Sequence, residues 1–304
     1  MHPVAVERLD TPEQLLNALR PLDARWQPYP ADWIFRGQWD ARFPLLPTAH
    51  RAKAWAPFAV PGEAPFDPIA GYQSEIVQAQ QEYFVLKRFH DGIDRAGLDV
   101  PNEVFVRERM QKEDGNDLEF LLDPAMATFA ALAQHHGVPT RLLDWTRAGL
   151  HAAYFAAAEA AMHAAETGRL SVWSLSLAFA EYIEAVEKQS DMLVNQARLQ
   201  LVTAPRSSNP NLHAQVGVFT LVHNMPKIAS VEEVALQLIN ALDRHVDWKW
   251  KGTAPLRRFE LPWSEAPKLL RLLSYEQVDA VRMFPGRDGV VQAMKERALW
   301  DRKE

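Results

Sequence analysis

The residues best suited to chemistry fall in three short stretches. The first, FRGQ, closes an apolar run (Trp33, Ile34, Phe35) with Arg36, Gly37 and Gln38. A guanidinium is a permanent cation whose planar fork of donors matches a carboxylate or a phosphate. Glycine lets a backbone or a ligand come close. The plainer use of Arg36 is a structural ion pair, with Asp144 as its obvious partner. The second stretch, QHHGVPTRLLDWT, gathers Gln134, His135, His136, Thr140, Arg141, Asp144, Trp145 and Thr146. Adjacent histidines point to different sides of a helix, whereas zinc usually takes residues at i and i+4, so no metal site is expected. Asp144 or Thr146 can cap a following helix and Trp145 can fill a core. As a set, these groups exceed what one cap requires. The third stretch, HAQVGVF, alternates His213, Gln215 and Gly217 with Val216 and Val218, which puts a polar stripe on one face of a strand. Such a stripe lines a cleft or forms the solvent face of an edge strand.

Other signatures are missing. The chain has no GxSxG elbow, P-loop, GxGxxG or HExxH pattern. FPGRDG carries too little acid for a metal-binding loop and reads as a tight turn. With no cysteine there are no disulfides and no thiolate metal site. A net charge of -6 argues against a protein that mainly coats nucleic acid. The alanine-rich run HAAYFAAAEAAMHAAE is too short and too polar to span a bilayer, and MHPVAVERLD lacks the apolar core of a signal peptide. No membrane association is expected, and a cytoplasmic location is.

These residues need elements to position them. DTPEQLLNALR reads as a helix capped by Asp10 or Thr11, with Leu15, Leu16 and Leu19 on one face. DWIFRG reads as a strand entering a turn. Residues 52 to 72 read as an extended loop, and SEIVQAQQEYFVLKRFHDGI as a helix with Ile76, Ala79, Tyr83, Leu86 and Phe89 on its apolar side. Asp123 caps a helix from Pro124, with Met126, Phe129, Leu132 and Ala133 facing inward and Gly137 and Pro139 ending it. Thr146 is expected to cap the next helix, carrying Leu150, Tyr154 and Phe155 and running to Gly168. LSVWSLSL, VGVFTLV and RRFELP then read as strands, followed by a helix (APKLLRLL), a short element and a final helix. Helices dominate the first half and strands gather in the second, so the class is α+β.

In the order FRGQ, LLPTAHR, QHHGVPTRLLDWTRAGLHAAYFA, AQVGVF and FPGRDGV, the chain resembles the FRG-domain family, named for its aromatic-Arg-Gly motif. The likeness runs from about Trp33 to Met294, and its central block is long and specific. Two departures stand out: His136 replaces what is more often an aromatic residue, and Gln215-Val216-Gly217 replaces Gln-Gln-Gly. The layout this implies is an N-terminal helical segment (1–30), an FRG domain (31–296) with a variable helical insertion (52–120), and a tail (297–304).

The resemblance further implies an ADP-ribosyltransferase-like core: a helical N-terminal half and insertion around a mainly antiparallel sheet. The implied protein is a bacterial NAD-consuming transferase, a toxin or phage-defence effector acting on a protein or nucleic acid, with NAD as substrate and no metal. Arg36 would hold the diphosphate or ribose while Gly37 keeps the wall thin. Gln38, Thr140, Arg141 and Thr146 would complete the NAD site, and Trp145 or Tyr154 would stack on nicotinamide. Asp144 would hold Arg36 or Arg141 in place. Gln215 falls where such transferases commonly carry a glutamate; its amide can bind a ribose hydroxyl but adds no negative charge. Glu260 is the strand-borne carboxylate nearest to it in sequence. Two alternatives stay open: a non-catalytic nucleotide or phosphate module using Arg36 and Arg141, and a hydrolase or nuclease using His135, His136 and Asp144.

Overall fold

The computed structural model describes residues 4–26, 32–61, 64–68, 75–111, 120–189, 198–203, 216–223, 230–243 and 254–300. In chain order the elements are β1 (Val4–Arg8), α1 (Pro12–Leu19), β2 (Trp33–Gln38), α2 (Glu75–Arg95), α3 (Glu103–Gln111), α4 (Pro124–His135), β3 (Leu142–Thr146), α5 (Gly149–Ala160) and β4 (Arg169–Ser176). There follow α6 (Leu177–Gln189), β5 (Arg198–Val202), β6 (Gly217–His223), α7 (Val231–Asp243), β7 (Leu256–Pro262), α8 (Ala266–Tyr275), α9 (Ala280–Met283) and α10 (Arg287–Trp300).

The class is α+β. The seven strands form one mixed sheet in the order β1-β7-β4-β2-β3-β6-β5. Only β1 and β7 run parallel; the other neighbours are antiparallel. The N-terminal segment, expected to be helical, thus opens with a strand that extends the sheet past β7. The strands are also spread more evenly along the chain than the periodicity suggests, because β1, β3 and β5 are too short to show a clear alternation.

Local chemistry explains most element boundaries. Thr11 and Gln14 form a reciprocal capping box at α1, with Pro12 in the first turn. Asp123 accepts from Ala125 N at 2.8 Å and caps α4 ahead of Pro124. Gly137, at φ 86°, lets the chain leave α4 in the left-handed region.

Four readings change. Residues 52–58, expected to be loop, form a 3-10 helix. Thr146 does not cap α5; it ends β3, and its hydroxyl accepts from Ala148 N at 3.1 Å before the helix starts at Gly149. That helix stops at Ala160 and passes into a 3-10 turn, short of Gly168. FPGRDG is a turn only in its first half, since α10 begins at Arg287.

Apolar side chains cover both faces of the sheet. Phe35, Leu170, Val172 and Phe259 face α1, α5 and α8. Ile34, Trp173, Leu175 and Val218 face α6 and α7. A third cluster packs α2, α3 and α4 against Leu142, Phe219 and Leu221. On α2 the expected inward positions Ala79, Tyr83 and Leu86 are buried, but Ile76 is half exposed.

Candidate active site at the split between β2 and β3

β2 pairs with β4 along its whole length but with β3 at a single position, Phe35 opposite Thr146. Beyond it the two strands separate, and the space between them is a cavity of about 540 Å³ lined in part by Arg36, Gly37, Asp144 and Trp145. A pocket of this size, with a few convergent polar groups on an apolar wall, suits a small-molecule ligand.

Arg36 bridges the split. Its Nη1 donates to the Asp144 carbonyl oxygen at 2.7 Å and lies 2.8 Å from Oδ2 of the same residue. Nε of Arg36 is buried with no hydrogen-bond partner. The Arg36 side chain is 15% exposed, whereas that of Asp144 is 62% exposed at the mouth of the cavity. Asp144 Oδ1 accepts from Gln134 Nε2 at 3.3 Å, and Gln134 in turn accepts from the Thr140 hydroxyl. Both carboxylate oxygens are therefore held. Desolvation by the cavity walls acts to raise the Asp144 carboxyl, but the charge and hydrogen bond of Arg36, with the charge of Arg51, outweigh it and leave the carboxyl below its ordinary range. Arg51 donates to Leu46 O at 2.6 Å and stands close enough for its charge to act on both partners. His135 also lines the cavity, and desolvation and its neighbour His136 hold its imidazole below the usual histidine value.

The structure brings together Arg36, Gly37, Gln134, His135, Asp144, Trp145 and Thr146, all flagged by residue type in the sequence. It takes others away from the cavity wall. Arg141 is buried in an ion pair with Glu82 at 3.0 Å, where side-chain exposures of 3% and 0% leave no route to a ligand. Its neighbour in that network, Gln78, donates to Glu82 at 2.7 Å and to Ala49 O at 3.1 Å, so the pair ties α2 to the LLPTAHR turn and to the start of β3. Gln38 accepts from Trp173 Nε1 at 2.9 Å and donates to Pro44 O, facing the core. Thr140 supports Gln134 from behind.

Tyr154 is buried with its hydroxyl on Glu296 Oε1 at 2.7 Å, and the aromatic group of α5 that lines the cavity is its neighbour Phe155. Trp145 lines the cavity yet spends its indole N–H on the Thr220 hydroxyl at 2.9 Å. His136 is an exposed helix cap. Glu260, with a side chain 5% exposed, is ringed by Arg8, Arg169 and Arg258 and lies outside the cavity wall. Gly37 has a packing reason: a Cβ there would collide with Ala152 O and stand 2.7 Å from Ala156 N, so α5 rests directly on the strand.

His213 and Gln215 lie outside the described residues. Val216, at φ 51°, is in the left-handed region that a β-branched residue rarely enters, and the strand proper starts at Gly217, which lines the cavity. Sequence reasoning missed Phe155, Phe219 and Phe284 as wall residues. Nothing local separates them from core aromatics; only their position at the split does.

The motif residues that converge on the cavity belong to one recognisable segment. Residues 31–165 match the FRG domain family. The match spans β2 to α5, and so contains Arg36, Asp144 and their supports, while Gly217, Phe219 and Phe284 come from the chain beyond it. No curated protein and no solved structure matches the chain. No group of three or more metal-ligating side chains is found among the described residues. Nor is any helix among them long and apolar enough to cross a membrane.

Proposed function

We propose that the FRG cavity binds NAD and that the protein is an NAD-consuming ADP-ribosyltransferase, with a protein or a nucleic acid as acceptor. The observation that carries this reading is the guanidinium of Arg36, fixed by Asp144 at the wall of an open cavity with aromatic walls. An anionic diphosphate needs a cation held in place, and a nicotinamide or adenine ring needs a flat apolar surface. Here Arg36, with Arg51 nearby, supplies the first, and the phenylalanines supply the second.

In the reaction, the bond from nicotinamide nitrogen to ribose C1′ breaks and its electron pair neutralises the pyridinium, which leaves as nicotinamide. The ribose carbon becomes cationic and is closed by a lone pair of the acceptor, whose proton passes to a base or to water. Preorganised charge lowers such a barrier most when it costs no reorganisation. Asp144 is the carboxylate on the cavity wall and Arg36 the group that clamps phosphate. Gln215, two residues before the wall residue Gly217, belongs to the proposal as the ribose hydroxyl partner. The setting proposed is the bacterial cytoplasm, and the role that of a toxin or phage-defence effector.

Incubation with NAD and cell extract tests the reading by release of free nicotinamide. Release that disappears in Arg36→Ala, together with relief of growth inhibition on expression, supports it. No release with any extract from folded wild-type protein sinks it. One observation favours a second reading: Asp144 is already neutralised by Arg36, which suits a site that binds a nucleotide without turning it over. That module would show stabilisation of roughly 2.7 kcal/mol at a hundred times the dissociation constant, with no nicotinamide released.

A further inference from the structure

We infer that Phe284, with Phe155, receives a planar heteroaromatic ring of the ligand, and that the Tyr154–Glu296 hydrogen bond holds Phe284 in place. This rests on the reading of the cavity as a nucleotide site and names a specificity residue for it that lies outside the matched FRG segment. Phe284 opens the FPGRDG motif between α9 and α10 and lines the cavity, half-buried. Its ring meets that of Phe155 at 6.2 Å between centroids and 76° between planes, forming a corner. A flat ring entering the corner stacks on one face and meets the other edge-on, the two favoured aromatic geometries.

The turn that presents Phe284 is tightly specified. Gly286 has φ 136°, and a Cβ on Gly289 would collide with Phe284 O and stand 2.7 Å from Ala280 O. The helix behind it is held by polar as well as apolar contacts. α10 buries Glu296 at 3% exposure on the side where Ala293, Leu299 and Trp300 meet the core, while leaving Val290, Val291 and Met294 exposed. Glu296 Oε1 takes the Tyr154 hydroxyl at 2.7 Å and Gln292 Nε2 at 3.1 Å. A buried carboxyl satisfied in this way fixes orientation where apolar packing alone would let the helix slide. The bond joins α10 to α5 one residue from Phe155, so both walls of the corner share one anchor.

Calorimetric titration of the full chain with AMP, nicotinamide mononucleotide, ADP-ribose and base-free ribose 5-phosphate tests the inference. Phe284→Leu keeps apolar bulk and should weaken the ring-bearing ligands about tenfold, as expected for a lost base stack, while leaving ribose 5-phosphate unchanged. Phe284→Trp should restore affinity, and Tyr154→Phe should weaken the same ligands without touching ribose 5-phosphate. AMP and nicotinamide mononucleotide tell which ring the corner takes. Wild-type affinity for every ring-bearing ligand in Phe284→Leu overturns the inference while leaving the nucleotide reading intact. Failure of folded wild-type protein to bind any of the four overturns both, and Arg36→Ala, which should lose all four, separates a lost phosphate clamp from a lost ring contact.

Discussion

Nη1 of Arg36 reaches Asp144 twice, at 2.7 Å to the main-chain oxygen and 2.8 Å to the carboxylate. A β2 side chain thus holds together two strands that have stopped pairing, and the place where the ladder fails becomes the wall of the cavity.

The doubled contact predicts unequal effects of substitution on the two partners. Arg36→Ala and Arg36→Lys should each weaken ADP-ribose binding at least about tenfold, or about 1.4 kcal/mol, because an ammonium cannot reproduce the fork. Asp144→Asn keeps the main-chain acceptor and should cost less. Calorimetry decides the matter; equal losses in Asp144→Asn and Arg36→Ala would mean that the carboxylate alone places the guanidinium.

The Arg141–Glu82 pair predicts stability effects with little direct effect on ligand. Removing one partner leaves the other charge buried, so Glu82→Ala should destabilise by about 3–5 kcal/mol, read from the denaturant midpoint. The double replacement Glu82→Met with Arg141→Met should recover much of that loss. A single-mutant cost below about 1 kcal/mol would show that water reaches the pair.

His50 predicts acid sensitivity. It is 2% exposed, and burial, with the charge of Arg141, depresses its pKa from 6.5 to about 3. The folded state therefore binds fewer protons than the unfolded chain between those values. Its contribution is present above pH 6.5 and is lost as pH falls through about 3. Replacing His50 with Gln should flatten the stability curve across that window in pH-dependent melting; an unchanged slope would assign the acid loss to other groups.

Gly37 predicts a packing cost. Gly37→Ala drives a methyl into the backbone of α5 at Ala152 and Ala156, so the helix must shift. A loss of about 1–3 kcal/mol is expected from overpacking, with binding impaired because Phe155 moves with α5. A melting temperature equal to wild type would contradict the close approach.

Much of this was legible from the chain. Arg36, Gly37, Gln134, His135, Asp144, Trp145 and Thr146 stand out because a cation, an acid and amides crowd beside apolar runs where unpaired polarity is costly. The caps of α1 and α4 follow from Thr11-Pro12 and Asp123-Pro124 for the same local reasons. Reading fails where local preference is silent. LLDWT has five residues and two adjacent leucines, so its period does not distinguish strand from helix start, and Thr146 looks like a cap.

Residue order alone established the α+β class, the polar block and its partnership with Arg36, since these depend on neighbours in sequence and on the cost of burying charge. Tertiary structure decided which of two similar side chains serves the cavity: Asp144 over Glu260, Arg36 over Arg141, Phe155 over Tyr154. Those choices turn on where two strands part and which face of a helix meets them. Residues far apart in the chain set both, and no local window contains them.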